Sequence, residues 1–455
     1  MRRATVDGNA VERLIAREIE TFQARTPACR KMLERARRVL PLGVPSTFQE
    51  HPPYPLYVRS GKGSHVWDVD GNEYLDFHLG FGSLAVGHAH PRLVEALSER
   101  LRQGSMFAMA TEEAVSLGEE LCRRFGMDMV RFSNSGTEAT MDALRLARGA
   151  TGRDLIVKIE GSYHGHHDYV MVSVKPSAEE MGPLDHPASI PLSTGIPAAV
   201  AAMTLVVPFN HPDALARTLE EHEGQVAALI IEPVMMNLGI VHPAAGYLEA
   251  IRRITREHDV LLVYDEVKTG VTIAPGGACE RYGVQPDLVC LAKSIGGGIT
   301  IGAFGGRREL MEHVRPGDVA HQGTFNGNPL AMTAGLVTLT EILTAEAYER
   351  FERQEERLVS GCEAIIREHG LPMYSTGIGA KGCVMFAPEP LSDYRDYLSI
   401  DKDLAYLHWL YFMNRGVFMP PGLDEQWTLS VQHSDEDIEA HLAVFREFAR
   451  DVTAA

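Results

Sequence analysis

The stretch DLVCLAKSIGGG, Asp287–Gly298, decides the reading of the fold. Leu288 to Ala292 form an apolar run that stops at Lys293, and Ser294, Ile295 and three glycines follow. A short apolar run bounded by glycine suits a strand buried on both faces. A surface position is the default for any lysine. A lysine at the end of such a strand, in an apolar site, instead loses proton affinity and becomes a usable amine nucleophile and base.

Four further segments repeat the pattern: MVRFSN (129–134), DLIVKIEG (154–161), AALIIEP (227–233) and VLLVYDEV (260–267). Helical stretches such as GTEATMDALRLARGA and GYLEAIRRITREHD lie between them. Apolar strands alternating with helices predict an α/β fold, a mostly parallel central sheet with helices on both faces. Ligands sit at the carboxyl ends of such strands. Outside this core, HVWDVDGNEYLDF reads as a hairpin turning at Asp70-Gly71, and the later chain reads as helical and then α+β. The expected division is an N-terminal segment 1–64 belonging to a small domain, a large α/β domain 65–325, and a C-terminal small α+β domain 326–455.

Composition narrows the function classes. The chain has 455 residues, 45% hydrophobic and 23% charged, enough for more than one lobe. The net charge of −18 argues against nucleic acid or an anionic membrane as partner. No apolar run approaches the roughly 20 residues of a membrane helix, and the first residues do not read as a signal peptide. The six cysteines form no C-x-x-C pair and read as reduced thiols of a cytoplasmic protein.

The strand ends carry the chemistry. Ser135, Gly136 and Thr137 stand between a strand and a helix, where free N–H groups and hydroxyls form a cradle for a phosphate. Simple N-capping is the competing use of Ser135 and Thr137. Asp265 ends one strand and Glu232 another. An acid so placed is either paired or functional, and Glu232 has the structural alternative of accepting backbone hydrogen bonds. A phosphate cradle, an acid and a deep lysine on one sheet rim are the parts that pyridoxal 5'-phosphate requires. Its aldehyde bonds to a lysine, its pyridine nitrogen pairs with an acid, and its phosphate needs donors.

With these residues in view, the sequence resembles the class III aminotransferases, fold-type I pyridoxal phosphate enzymes. The branch is that of glutamate-1-semialdehyde aminomutase and related amine and β-amino-acid (omega) transaminases. The resemblance covers roughly residues 35 to 445. It is carried by VWDVDGNEYLDF, GHAHP, SNSGTEA, YHGHHD, EPV, DEVKTG, LAKSIGGG and GTFNGNPL. It implies a fold-type I transferase with a smaller α+β domain. It implies that Lys293 carries the cofactor covalently and shuttles the proton, and that Asp265 pairs the ring nitrogen. Ser135, Gly136 and Thr137 would hold the phosphate, Tyr163 and Val267 would cover the two ring faces, and Glu232 would belong to the cofactor site. Thr324 would reach the phosphate of a neighbouring subunit, which implies a homodimer with shared active sites. His164, His166 and His167 match the family's YHGH segment, so no metal is expected; no H-E-x-x-H helix is present.

Two departures bear on substrate. Gln49, in GVPSTFQ, stands where the aminomutase has a carboxylate-gripping arginine, and Pro421, in MPPG, where β-amino-acid transaminases have another. Neither supplies a charged fork. Asn237 stands where ornithine- and GABA-type relatives carry a glutamate. Lys268 replaces the more usual Met or Gln; solvation or an ion pair is its default, and supplying charge near cofactor or substrate is the alternative. Phe48, Gln49, Phe81, Phe107 and Met235 are candidate pocket residues, with plain core packing as the competing use. The expectation is an omega-type aminotransferase moving nitrogen from a primary amine or amino acid to a keto acid such as pyruvate. Glutamate-1-semialdehyde 2,1-aminomutase is the alternative, and a non-catalytic pyridoxal phosphate-binding protein the remote one.

Overall fold

The computed structural model describes residues 8–422 and 426–454. The chain divides into two compact units. One comprises residues 1–90, 349–390 and 399–455, and the other 91–348 with 391–398.

In the first unit, β1 (Val58–Lys62), β2 (His65–Asp68) and β3 (Glu73–Asp76) run antiparallel in sequence. The β2–β3 connection is the expected Asp70-Gly71 turn. Gly71 takes φ +90°, open to glycine and costly for other residues. The second unit holds a seven-stranded sheet. Its strands are β4 (Met129–Ser133), β5 (Leu155–Ile159), β6 (Thr204–Val207), β7 (Val226–Ile231), β8 (Leu261–Asp265), β9 (Leu288–Ala292) and β10 (Gly302–Gly306). Their order is β4-β10-β9-β8-β7-β5-β6, with β10 antiparallel to both neighbours and the other pairings parallel. The remaining strands return to the first unit. β11 (Tyr374–Ile378), β12 (Lys381–Met385) and β14 (Gln426–Thr428) form a sheet of their own, and β13 (Val417–Phe418) adds in parallel to β3.

The five strands expected from apolar runs are β4, β5, β7, β8 and β9. Every residue of β7, β8 and β9 is buried, as a doubly covered sheet requires. β10 was not expected, because GAFGG has poor strand propensity. The glycines answer to space: a Cβ at Gly302 would collide with the Ser135 carbonyl, and one at Gly306 with that of Asp287.

The division differs from the boundaries expected at 64/65 and 325/326. Residues 65–90 pair with the terminal parts through β3 and β13. Helix Pro329–Val337 packs on helices Pro91–Arg102 and Glu112–Phe125 and so stays with the large sheet's unit. All six cysteines are free. Among the described residues no single helix is long and apolar enough to cross a membrane.

The first unit's core contains three buried histidines, His408, His433 and His441. Their rings lie 4.2–5.5 Å from those of Phe77, Phe412 and Trp427. Burial pushes His433 down to about 4 and His441 down to about 3. The unfolded chain takes up these protons near the ordinary value of about 6.5. The stability these neutral rings support is therefore complete above that value and is lost as pH falls towards 4. Replacing His441 by Leu should flatten this acid loss by about 1.4 kcal/mol per pH unit, checked by urea unfolding between pH 6.5 and 4.5. An unchanged slope would remove His441 from the account.

Candidate active site

The expected strand-end residues gather at the carboxyl edge of the large sheet. Ser135 caps helix Gly136–Thr151 after β4, its Oγ accepting from Glu138 N at 3.2 Å. Glu138 in turn accepts from Asn134 N at 2.6 Å. Capping does not exclude cradling an anion, because a hydroxyl that accepts one bond keeps its proton to donate. Gly136 is hemmed in: an added Cβ would lie 3.0 Å from both Val267 methyls. That places Val267 against the helix's first turn. Thr137 Oγ1 lies 3.1 Å from His166 Nδ1, and Gly165, with φ +98°, lies so close to Thr137 that a Cβ would sit 2.6 Å from Oγ1.

The loop after β5 is suspended by buried charges. Lys158 is fully buried, and its amine donates to the carbonyls of Ile159, Ser162 and Val172 at 3.2, 3.0 and 2.7 Å. Burial pushes it down to about 7, against the pull of Glu232 and Glu160. Glu160 pairs with Arg395 at 3.0 Å. Tyr163 N donates to Glu232 Oε1 at 3.0 Å. His164 Nδ1 lies 2.7 Å from Asp265 Oδ2, both buried, so Nδ1 carries the proton to the carboxylate. Thr140 Oγ1 holds the His164 carbonyl at 2.6 Å. His164 Nε2 is buried without a hydrogen-bond partner among the described residues.

The two acids of DEVK divide their work. Asp265 Oδ1 accepts from Val267 N at 3.0 Å while Oδ2 meets His164. Glu266 is buried among Thr269 Oγ1, Ala278 N and Cys279 N and is raised to about 7 by burial. It is structural. Glu232 is occupied as well: Oε2 accepts from Met236 N at 3.0 Å and from Asn237 Nδ2 at 2.8 Å. It braces the loops around Tyr163, the structural alternative weighed from the sequence.

Lys293 follows β9 directly, half-buried, in a left-handed conformation with φ +52°. Burial first and then the neighbouring Lys268 charge push its amine down to about 8, against the pull of Asp265 and Glu232. A substantial fraction is therefore neutral near physiological pH and able to add to an aldehyde. Burial, with the charge of Asp265, raises Tyr163 above the usual phenol range. Helix-terminal donors, a braced acid and a nucleophilic amine fit the phosphate, ring nitrogen and aldehyde of pyridoxal phosphate.

Other candidates stand elsewhere. Met235 is fully buried in the loop after β7, bridged to Val241. Phe107 is exposed beside Arg100, and Thr324 is exposed although Asn326, two residues on, bonds Asn134. Phe48, Gln49 and Phe81 belong to the first unit, where Gln49 is exposed and the two phenyl rings are 6.0 Å apart. The sequence reading assigned no role to Lys158, and treated His164 only as part of a motif. The one signal for Lys158 was a lysine inside an apolar strand.

The class III aminotransferase family matches residues 47–389. The chain belongs to that family. A glutamate-1-semialdehyde 2,1-aminomutase of Methanothermobacter thermautotrophicus is 44% identical over 421 residues, 92% of this chain and 97% of that protein. An omega-transaminase structure from Sphaerobacter thermophilus superposes with a TM-score of 0.89 at 37% identity, covering 94% of this chain and 99% of that one. A Pseudomonas aeruginosa glutamate-1-semialdehyde aminomutase in complex with PMP gives 0.89 at 31% identity, covering 98% and 99%. The chain is thus a pyridoxal phosphate-dependent enzyme with the fold-type I architecture of its family.

Two substitutions probe the site. Gly165→Ala places a methyl against Thr137 in a backbone conformation disfavoured for alanine. It should weaken retention of pyridoxal phosphate about tenfold or more, measured by dialysis and cofactor absorbance. Lys158→Met strands three buried carbonyls and should cost on the order of 3 kcal/mol in chemical unfolding.

Proposed function

We propose that the enzyme performs amino transfer of the glutamate-1-semialdehyde aminomutase kind, returning nitrogen to an adjacent carbon of one molecule. The observation that carries amino transfer is the lowered amine of Lys293 beside Asp265, itself held by His164. The mutase assignment is supported by relatives of that name, 44% identical in the instance above. Asn237 supports it too: it stands where ornithine- and GABA-type enzymes carry a glutamate and bonds Glu232. This reverses the order of the two readings expected from the sequence.

Bound pyridoxal phosphate supplies an electron sink for the bond to hydrogen that breaks at the amine-bearing carbon. The protein's part is positional. Ser135, Gly136 and Thr137 hold the phosphate by hydroxyl and helix-terminal N–H groups. Asp265 keeps the ring nitrogen protonated, and His164 keeps Asp265 oriented. Tyr163 and Val267 would flank the ring, and Lys293 would hold the aldehyde carbon and move the proton.

Transfer from a separate amine to a keto acid such as pyruvate is the second reading. Gln49 and Pro421 favour it, since neither grips a carboxylate, as does the similarity to the Sphaerobacter enzyme. A homodimer accompanies either reading. Val94, Leu101, Phe107, Met109, Val115 and Phe325 are exposed apolar residues of one unit, and Thr324 sits next to Phe325. Light scattering should return twice the chain's mass.

Glutamate-1-semialdehyde supplied alone should yield 5-aminolevulinate, and Lys293→Ala should abolish this while the fold and part of the cofactor affinity survive. Turnover of 1-phenylethylamine with pyruvate, without any 5-aminolevulinate formed, would replace the first reading by the second.

A further inference from the structure

One buried charge closes the neck of the loop that meets the acids and the helix of the site. Residues 163–167 make these contacts in succession. Tyr163 N donates to Glu232 at 3.0 Å, and His164 Nδ1 to Asp265 at 2.7 Å. Gly165 lies against Thr137, His166 N donates to Thr137 Oγ1 at 3.3 Å, and His167 Nε2 lies 3.3 Å from Thr140 Oγ1. The chain leaves and re-enters this loop side by side: Gly161 N donates to the Ser173 carbonyl at 2.9 Å. Inside that neck lies Lys158, fully buried. Its amine donates to the Ser162 carbonyl at 3.0 Å on the outgoing side and to the Val172 carbonyl at 2.7 Å on the returning side. A third bond, at 3.2 Å, goes to the Ile159 carbonyl at the end of β5. A single nitrogen thus fastens both sides of the neck to the sheet. The carboxylates that act on Lys158 through space bond other groups. Glu232 takes Tyr163 N, Met236 N and Asn237, and Glu160 takes Arg395.

We propose that Lys158 is a positioning residue for the cofactor ring: its ammonium clamps the neck of the loop and so sets Tyr163 and His164 before any cofactor binds. The assignment rests on the pyridoxal phosphate reading of Tyr163 and Lys293. An apolar side chain at 158 would avoid the cost of burying an ammonium. It could not supply three directed bonds from one atom, which only the protonated amine brings. Because residues 163–167 contact Glu232, Asp265, Thr137 and Thr140 one after another, a shift at the neck moves all of these contacts together.

The test uses the full chain below pH 7, where the amine carries its third hydrogen. Hydrogen exchange is followed first in the cofactor-free enzyme. The peptide spanning residues 159–173 should already be protected there. Lys158→Met should speed its exchange about tenfold or more while helix Tyr247–Glu257 keeps its rate; a general loss of stability would speed both. With pyridoxal phosphate bound, visible circular dichroism reports how the ring is held. Lys158→Met should lower this signal about twofold or more per bound cofactor, as should Tyr163→Ala. The double variant should be no lower than Tyr163→Ala, because both changes act through one contact. Lys158→Gln takes the place of Lys158→Met if that variant does not fold. Free exchange of the peptide in the unaltered cofactor-free enzyme, or additive losses in the double variant, overturns the role of Lys158. Borohydride trapping with peptide mapping separates the two hypotheses. A label absent from Lys293, or dichroism unmoved by Tyr163→Ala, defeats the underlying reading. A label present and dichroism sensitive to Tyr163→Ala, with exchange and dichroism unchanged at Lys158→Met, defeats only this inference.

Discussion

A carboxylate buried at a strand end is tolerated only if it is paired, and the 2.7 Å contact between His164 and Asp265 meets that condition. The contact joins the loop after β5 to the end of β8, with β7 between those strands in the sheet. It sets Tyr163 by chain connectivity, and through Val267 N it sets the segment packed on Gly136. The first turn of helix Gly136–Thr151, Tyr163, Val267 and Asp265 therefore share one alignment. Displacing His164 would leave Asp265 Oδ2 without its partner and the carboxylate held by Val267 N alone.

Charge at this edge is balanced in layers. Lys158 beneath the loop spends its three hydrogens on carbonyls, and Arg395 answers Glu160. Glu232 is fully occupied by neutral donors. Removing one member of a buried set is costly, because its partner keeps the desolvation penalty without the compensation. The loop is thus held by bonds that leave no buried charge in it without an answering group.

Legibility in the sequence followed how local each cause was. β5, β7, β8 and β9 could be read because burial on both faces demands continuous apolar residues. Lys293 and Asp265 could be read because a polar residue closing such a run has few bland explanations. β10 could not, since its glycines answer to the carbonyls of Ser135 and Asp287 rather than to strand propensity. The pairing of His164 with Asp265 spans 101 residues, and no local pattern announces it. Residues 391–398 joined the large sheet's unit for a similarly non-local reason: Arg395 meets Glu160 and Tyr394 Oη meets the Pro176 carbonyl. Ser135 was weighed as either cap or cradle, and a hydroxyl can be both.

Two lysines at one site pose an energetic question that the fold answers by unequal treatment. Like charges in a partly dry setting repel, and the repulsion lowers whichever amine can shed its proton more easily. Lys268 Nζ donates to the Met236 carbonyl at 2.7 Å. Lys293, in a left-handed turn, is driven towards the neutral amine first by burial and then by that charge. Burial and a neighbouring cation thus act in the same direction on the one amine that closes β9.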